Sequence, residues 1–159
     1  MQVIDASSMI YAWDNYPVRQ FPGLWDWVAT QITQKTLTIP GVALEEVMHK
    51  TPDCGEWLKS HDVGQLKINN AILQDAMSIH DLLGIAGDGY HPKGVGENDI
   101  LIIATARAHR AELVSNEGRQ KLDGLPAKRK IPAVCAMPEV AVPCINFIEF
   151  IKRSDVVFG

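Results

Sequence analysis

The sequence predicts an α/β fold built around a mainly parallel sheet, and three observations carry that expectation. Short apolar segments (residues 3–4, 36–39, 65–68, 112–115 and 133–136) alternate with longer segments of helical spacing along the whole chain. Strands separated by helices pair in parallel, because a crossover brings the chain back in the same direction. Residues 100–104 are apolar on nearly every side, which suits a helix buried on most faces. Gly and Pro punctuate the pattern at the ends of the periodic stretches, Pro40-Gly41 above all.

The elements follow in order. The opening MQVIDASSMIYAW gives a short strand at 3–4 and a helix at 8–13. Phe21-Pro22-Gly23 is a turn. Pro22 is placed to start a helix over 24–34, since its fixed φ suits the first helical turn, and Leu24, Trp27, Val28 and Ile32 follow helical spacing. The strand 36–39 stops at Pro40-Gly41, and helices over 42–50 and 55–60 come next. A strand at 65–68 precedes a helix over 70–83 with Ile72, Leu73, Ala76, Ile79 and Leu83 on one side. Residues 84–96 hold five glycines and one proline and read as a loop. The stretch ENDILIIATARAHRAELVSNE then gives the buried helix and a strand at 112–115. Residues 118–130 form a basic, polar connection, 133–136 a further strand, and 145–153 a last amphipathic helix.

At 159 residues the chain is expected to be one domain spanning 1–159. A domain of this size buries roughly 70% of its unfolded surface and needs no covalent staples. The cysteines, Cys54, Cys135 and Cys144, are odd in number and lack CxxC spacing. They suggest a reducing compartment and neither a disulfide framework nor a zinc site. The start of the chain does not read as a signal peptide, and no apolar stretch approaches the ~20 residues of a membrane span. A soluble cytoplasmic protein without membrane partners is expected. The net charge of −4 and pI of about 5.7 disfavour a general nucleic-acid coat, which needs clustered Lys and Arg. They allow an enzyme with a local basic rim, or a site that itself contains several carboxylates.

Four acidic positions fall at strand ends or helix beginnings, where an open α/β sheet forms its sites. Asp5 ends the first strand, Glu117 lies just past the strand ELVS, Asp99 opens the most apolar helix, and Glu45 and Glu46 stand one turn into the helix after TLTI. Each also has a plainer explanation. Asp5 and Asp99 suit helix N-caps, with Asn98 competing at the second. Glu45 and Glu46 suit a first helical turn, and Glu117 a solvated loop. If the carboxylates converge, they repel and raise one another's pKa, and a divalent cation resolves the repulsion. Oxygen ligands without His or Cys favour Mg²⁺ or Mn²⁺, which generate hydroxide from water and neutralise a phosphodiester in flight. Small Ala6 and Ser7 would let a substrate approach.

VIDASSMIYAW, LEEV, ENDILIIATARA and LVSNE together resemble the PIN-domain ribonucleases, and most of all a VapC-like toxin branch known as a domain of unknown function. FPGLWDW, EWLKS, KRKIPAVC and VPCINFIEFIKR are further landmarks, so the similarity covers nearly the whole chain in motif order. The resemblance implies a three-layer α/β/α PIN-like fold around a parallel sheet. It implies a Mg²⁺- or Mn²⁺-dependent endoribonuclease acting on single-stranded or structured RNA, with a cognate antitoxin over the acidic site and a tendency to homodimerise. The family acids fall on Asp5, Glu46 and Asp99. Glu46 is preferred to Glu45 because an apolar residue, Val47, follows it. The usual fourth position is an aspartate in T-x-D; here Ser115-Asn116-Glu117 stands instead, and Glu117 takes the place. The implied mechanism is in-line attack by a metal-activated water. Asp5 and Asp99 are core ligands, Glu46 completes the shell or orients the water, and Glu117 places a second, weaker ion.

Substrate contacts are expected from Ser7, Ser115 and Asn116, and from Arg119, Lys128, Arg129 and Lys130. The last four lie in GRQKLDGLPAKRKIP (118–132), whose five basic residues and one acid give 5 − 1 = +4. Such a loop suits the phosphates flanking a scissile bond; a merely solvated loop is the alternative. Lys93, Arg107, His109 and Arg110 are candidates for the rim, His91 has no assigned role, and Trp13, Trp25, Trp27 and Trp57 are expected to pack. Two competing functions stand beside the ribonuclease. A small-molecule phosphohydrolase of α/β type normally places a second aspartate where Ser7 stands. A catalytically silent PIN scaffold is kept open by the Ser-Asn-Glu variant. Nothing in the sequence encodes the target RNA.

Overall fold

The computed structural model describes residues 1–118 and 124–159. The elements run β1 (Gln2–Ile4), α1 (Ala6–Asn15), α2 (Pro22–Thr33), β2 (Leu37–Pro40), α3 (Gly41–Lys50), α4 (Pro52–Ser60), β3 (Gly64–Leu66), α5 (Asn70–Leu82), α6 (Glu97–Ala108) and β4 (Glu112–Val114), then a single 3-10 turn (Pro126–Lys128), α7 (Ile131–Cys135), β5 (Cys144–Ile145) and α8 (Phe147–Ser154). The five strands form one sheet in the order β3-β2-β1-β4-β5, and every pair is parallel. Helix α1 contacts α3, α4 and α8, helices α5 and α7 pack on α6, and α3 meets both α4 and α6, so helices flank the sheet.

The sheet holds because its strands are short, apolar and covered. Val3, Ile4, Leu37, Ile39, Leu113 and Val114 are all buried. Strands covered on both faces read as continuous apolar runs, not as alternation. Helix α6 buries Ile100, Ile102, Ile103, Ala104, Thr105 and Ala106, on almost every side, as the run of apolar residues predicts. Each of the three buried isoleucines contributes about 1.5–3 kcal/mol on burial.

Sheet building reverses direction at β1. The chain first adds β2 and β3 on one side, then returns with β4 and β5 on the other. Sites in open α/β sheets form at the carboxyl ends of the two strands flanking such a reversal. Asp5 and Ser115 stand there, and the Asp5 N–H donates to the Val114 carbonyl at 3.0 Å.

Two expectations need correction. Residues 133–136 are not a strand: Ile131–Cys135 is a short helix with Pro132 in its first turn. A brief apolar run reads equally as buried strand or buried helix, and Pro132 decides for the helix. The fifth strand is the two-residue Cys144–Ile145, which lies where the last helix was expected to begin. Helix α8 starts only after Asn146, whose Oδ1 accepts the Glu149 N–H at 2.8 Å while Glu149 Oε1 accepts the Asn146 N–H at 3.4 Å. That reciprocal pair is a capping box.

The glycine-rich loop before α6 lies tight against the 3-10 turn and the residue that follows it. A Cβ on Gly94 would collide with the Ala127 carbonyl, and the Val95 N–H donates to the Arg129 carbonyl at 2.9 Å. The loop thereby brings the basic segment beside the start of α6. No helix among the described residues is long and apolar enough to cross a membrane.

Candidate active site

Asp5 is 2% exposed at the end of β1. It caps α1: with φ −89° and ψ 172° it is extended, and its Oδ1 accepts the Ser8 N–H at 2.8 Å. The Ser7 hydroxyl lies within 2.9 and 2.8 Å of its two oxygens. Burial pushes the carboxyl up to about 6, and hydrogen bonds from Ser115, Ser8 and Ser7 pull it part of the way back. An N-cap needs one acceptor and no burial. The location of Asp5 therefore carries a cost that capping does not require.

Asp99 stands at the third position of α6, where its Oδ2 accepts the Gly96 N–H at 3.0 Å. Burial raises its pKa, the Gly96 bond opposes this, and the charge of Glu46 raises it further against Lys130 and Lys50. Glu117 follows β4, and its Oε2 accepts the N–H of Ile131, the first residue of α7, at 2.8 Å. Burial pushes Glu117 up to about 7; the Ile131 bond opposes this, while the charges of Asp99 and Asp5 add to it. Glu46, on α3, is 3.5 Å from the Lys50 ammonium one turn later.

All four side chains line one cavity of about 400 Å³, with Ser7 and Lys50 on its wall and Ala6, Ile10 and Ile102 as its apolar parts. Glu45 borders a different depression, with His49, Lys59 and Gln65. A larger cavity of about 620 Å³, walled by Tyr16, Phe21 and Phe158, is mostly apolar and holds no carboxylate side chain. Among the described residues, no three His, Cys, Asp or Glu side chains stand close enough together to hold a metal ion as placed. The acids surround the space without meeting at a point. Their donor set is nonetheless all oxygen, and the charge of Glu46 raises Asp99 while those of Asp99 and Asp5 raise Glu117, the electrostatic condition that a hard divalent cation relieves.

Ser7 and Asn116 tie the site together. Ser7 Oγ donates to Asp5, accepts the Asn116 N–H at 3.0 Å and lies 3.5 Å from the hydroxyl of buried Ser115. Ser115 Oγ also accepts the Glu117 N–H at 3.4 Å. Asn116 Oδ1 accepts the Phe147 N–H at 2.8 Å and the Ser8 hydroxyl at 3.2 Å, so it fastens the start of α8 to α1. That oxygen is committed to the fold.

Of the expected basic contacts, Arg119 lies outside the described residues. Lys128 is exposed, Arg129 and Lys130 are half-buried, and the charge of Lys130 reaches both Asp99 and Glu117. Arg107, His109 and Arg110 are at the other end of α6, with Arg107 about 12 Å along its axis from Asp99 at 1.5 Å per residue; Arg107 pairs with Asp75 at 3.2 Å. The tryptophans pack. Trp13 and Trp57 meet Trp25 edge-on at 5.4 and 4.9 Å, and Trp25 Nε1 donates to the Tyr16 carbonyl at 2.6 Å. Lys50, which no sequence motif indicates, also belongs to the site. Its signal was the four-residue spacing from Glu46, which places both on one helix face.

The model of a family described as a domain of unknown function, DUF4411, matches residues 2–158. No curated protein matches the chain. Among solved structures, the crystal structure of VapBC2 from Rickettsia felis bound to a DNA fragment from their promoter is similar with a TM-score of 0.57. The match covers 92% of this chain and 98% of that chain at 16% identity. The likeness is one of fold, and the all-parallel five-stranded sheet with flanking helices is consistent with the PIN-like fold expected from the sequence.

Proposed function

The chain belongs to the DUF4411 family, and we propose that it is a divalent-metal-dependent endoribonuclease, a hydrolase of RNA phosphodiester bonds, serving as the toxin of a toxin–antitoxin pair. One observation carries the reading: Asp5, Glu46, Asp99 and Glu117, from four separate elements, line a single cavity at the reversal point of the sheet. The motif resemblance to VapC-like toxins and the likeness of fold to a VapBC2 complex support it.

Asp5, Asp99 and Glu117 would hold Mg²⁺ or Mn²⁺, with Glu46 completing the set. Such a cation, when bound, supplies positive charge that activates water and offsets the charge of the phosphodiester. The chain's own residues supply positioning. A backbone N–H fixes one oxygen of Asp5, Asp99 and Glu117 alike, so the acids need little reordering on binding. Ser7 locks the Asp5 carboxylate and, with Ser115, keeps the floor of the site narrow. Lys50 lines the cavity and the charge of Lys130 reaches Asp99 and Glu117; both would hold phosphates on either side of the scissile bond, and Lys128, Arg129 and, by its place in the sequence, Arg119 would add further phosphate contacts. Phosphate contacts position the strand and carry no sequence information, so selection of the target rests on shape and unpaired loops. An antitoxin protein would cover the acidic cavity, and the toxin would act in the cytoplasm, as a homodimer.

The test is to incubate the protein and Asp99→Asn with a mixed structured RNA in EDTA, Mg²⁺ or Mn²⁺. Cleavage only by the wild type, and only with metal, is the expected result; equal cleavage by both proteins overturns the reading. A silent scaffold is the second reading, favoured by the spread of the acids around the cavity and the Glu46–Lys50 pair. Manganese decides between them. A ligand that binds only the folded chain at 100 times its Kd stabilises it by about 2.7 kcal/mol, whereas a scaffold without a site does not respond.

A further inference from the structure

Strands β4 and β5 pair in parallel with Val114 opposite Ile145, and the Ser115 N–H extends the ladder to the Ile145 carbonyl at 2.9 Å. The chain leaves both strands at the same edge of the sheet, so Asn116 and Asn146 follow neighbouring strand ends. A cavity of about 220 Å³ lies there, walled by both asparagines together with Glu117, Pro132 and Ile145. Glu117 lines the acidic cavity as well, so the two spaces share a wall.

The fold fixes which end of each amide is free. Asn116 Oδ1 accepts the Phe147 N–H at 2.8 Å and the Ser8 hydroxyl at 3.2 Å, and Asn146 Oδ1 accepts the Glu149 N–H at 2.8 Å. Only the oxygen of an amide can accept an N–H, so the NH2 group stands at the other end of each side chain. Among the described residues neither Nδ2 has a hydrogen-bond partner, and neither is sealed from solvent. Two half-buried side chains thus present N–H donors on one cavity wall, with no acceptor of the protein to receive them.

That wall selects its ligand. Free donors call for an acceptor, above all a carbonyl oxygen. Among the described residues no Lys or Arg lines the cavity, whereas Glu117 does, so a phosphate or carboxylate meets repulsion and no countercharge. Pro132 and Ile145 supply apolar surface. The volume falls below the roughly 300–1,000 Å³ of drug-sized ligand sites, which suits one planar ring. A neutral ring that carries a carbonyl and arrives beside a phosphodiester is a nucleobase.

We propose that this cavity is a base-binding subsite, which takes an unpaired uracil or guanine next to the scissile phosphate and discriminates against adenine. The choice of RNA as the ligand rests on the ribonuclease reading above. Uracil and guanine carry a carbonyl oxygen where adenine carries an amino group. A site built to hydrogen-bond one group rejects the analogue that lacks it, because its own polar groups are then left unpaired. Single-stranded bases are read by proteins through such contacts to their edges. The asparagines therefore supply a base preference that the phosphate contacts cannot.

The test titrates isotope-labelled, full-length protein in EDTA with uridine, inosine or adenosine and follows the side-chain NH2 signals of Asn116 and Asn146 by NMR. These neutral nucleosides need neither metal nor cleavage, and inosine carries a carbonyl where adenosine carries an amino group. Both NH2 signals should move with uridine and inosine, at an affinity about tenfold above that for adenosine. Asn146→Asp keeps an acceptor for the Glu149 N–H but has no donor, and should lose that preference; Asn146→Ser, also a good N-cap, should lose it without adding charge. Wild-type titrations stand even if a variant misfolds. Signals that stay still with every nucleoside overturn the proposal, as does an equal response to adenosine. A response to inorganic phosphate, or to N-methylacetamide as a peptide carbonyl, that matches the response to uridine also overturns it. Metal-dependent RNA cleavage with still NH2 signals removes the subsite and leaves the ribonuclease reading in place. Shifted signals without cleavage keep the base site and remove the ribonuclease.

Discussion

Replacing Asp5 by Asn should stabilise the metal-free protein at neutral pH. Burial is the chief cause that holds the folded Asp5 carboxyl at about 6, against 3.8 for the ordinary group. The folded chain therefore binds this proton more tightly than the unfolded chain does. Its contribution to stability is fully present below pH 4 and is lost as the pH rises through about 6. A shift of about 2 units at 1.36 kcal/mol each is about 3 kcal/mol. Asparagine carries no charge and keeps an acceptor for the Ser8 N–H, since Asn is as good an N-cap as Asp. In EDTA the two proteins should have similar unfolding free energies near pH 4. The variant should be more stable by up to about 3 kcal/mol at pH 8, or roughly 6–12 °C in Tm for a chain of this length. Glu117 and Asp99, also raised, make both proteins lose stability with pH, and the wild type loses more. Urea titrations from pH 4 to 8 in EDTA measure the difference. An Asp5→Asn variant less stable than wild type at pH 8, or one with the same pH slope, would refute the idea that the buried charge at this site lacks a compensating partner.

Two further predictions follow from individual contacts. Lys50→Met should weaken RNA binding across sequences and reduce the dependence of log affinity on log salt by about one, read by fluorescence anisotropy over a KCl series; an unchanged slope would remove Lys50 from the phosphate track. Asn116→Ala leaves the Phe147 N–H and the Ser8 hydroxyl without their acceptor and should cost about 1–3 kcal/mol for each buried group left unsatisfied. Asn116→Asp, which keeps the acceptor, should recover part of that loss in urea unfolding.

Much of the fold was legible because its signals are local. The helix of ENDILIIATARA announces its burial in composition, and Pro22 marks the start of α2. What was not legible depends on contacts between distant segments. The apolar stretch at 131–135 is a helix because Pro132 sits in its first turn, and no periodicity separates five apolar residues of helix from strand. β5 is two residues long and takes its identity from pairing with β4, a partner that local sequence does not name. In the site, the placement of Glu46 and Glu45 in different depressions follows from helix geometry and from what packs on α3.

The sequence poses the acids as a choice between helix caps and a reactive site, and the structure dissolves that choice. Asp5 caps α1, Asp99 accepts a backbone N–H at the start of α6, and Glu117 accepts the first N–H of α7. Each is held by the beginning of a helix. In a parallel sheet every crossover helix begins near the carboxyl edge, so unpaired N–H groups collect along one rim. Carboxylates recruited to satisfy those groups are thereby collected too. The N–H bonds lower each pKa, yet Asp5, Asp99 and Glu117 all end above their ordinary values because burial outweighs them, and neighbouring negative charge adds to the rise at Asp99 and Glu117. Helix starts alone therefore explain why the acids are gathered but leave their negative charge uncompensated. The missing positive charge must come from a bound cation, from bound protons or from Lys50 on the cavity wall and Lys130 nearby. The manganese and pH titrations distinguish these sources: protons alone predict stability that falls steadily to pH 8 whatever the metal, whereas a bound cation cancels that fall.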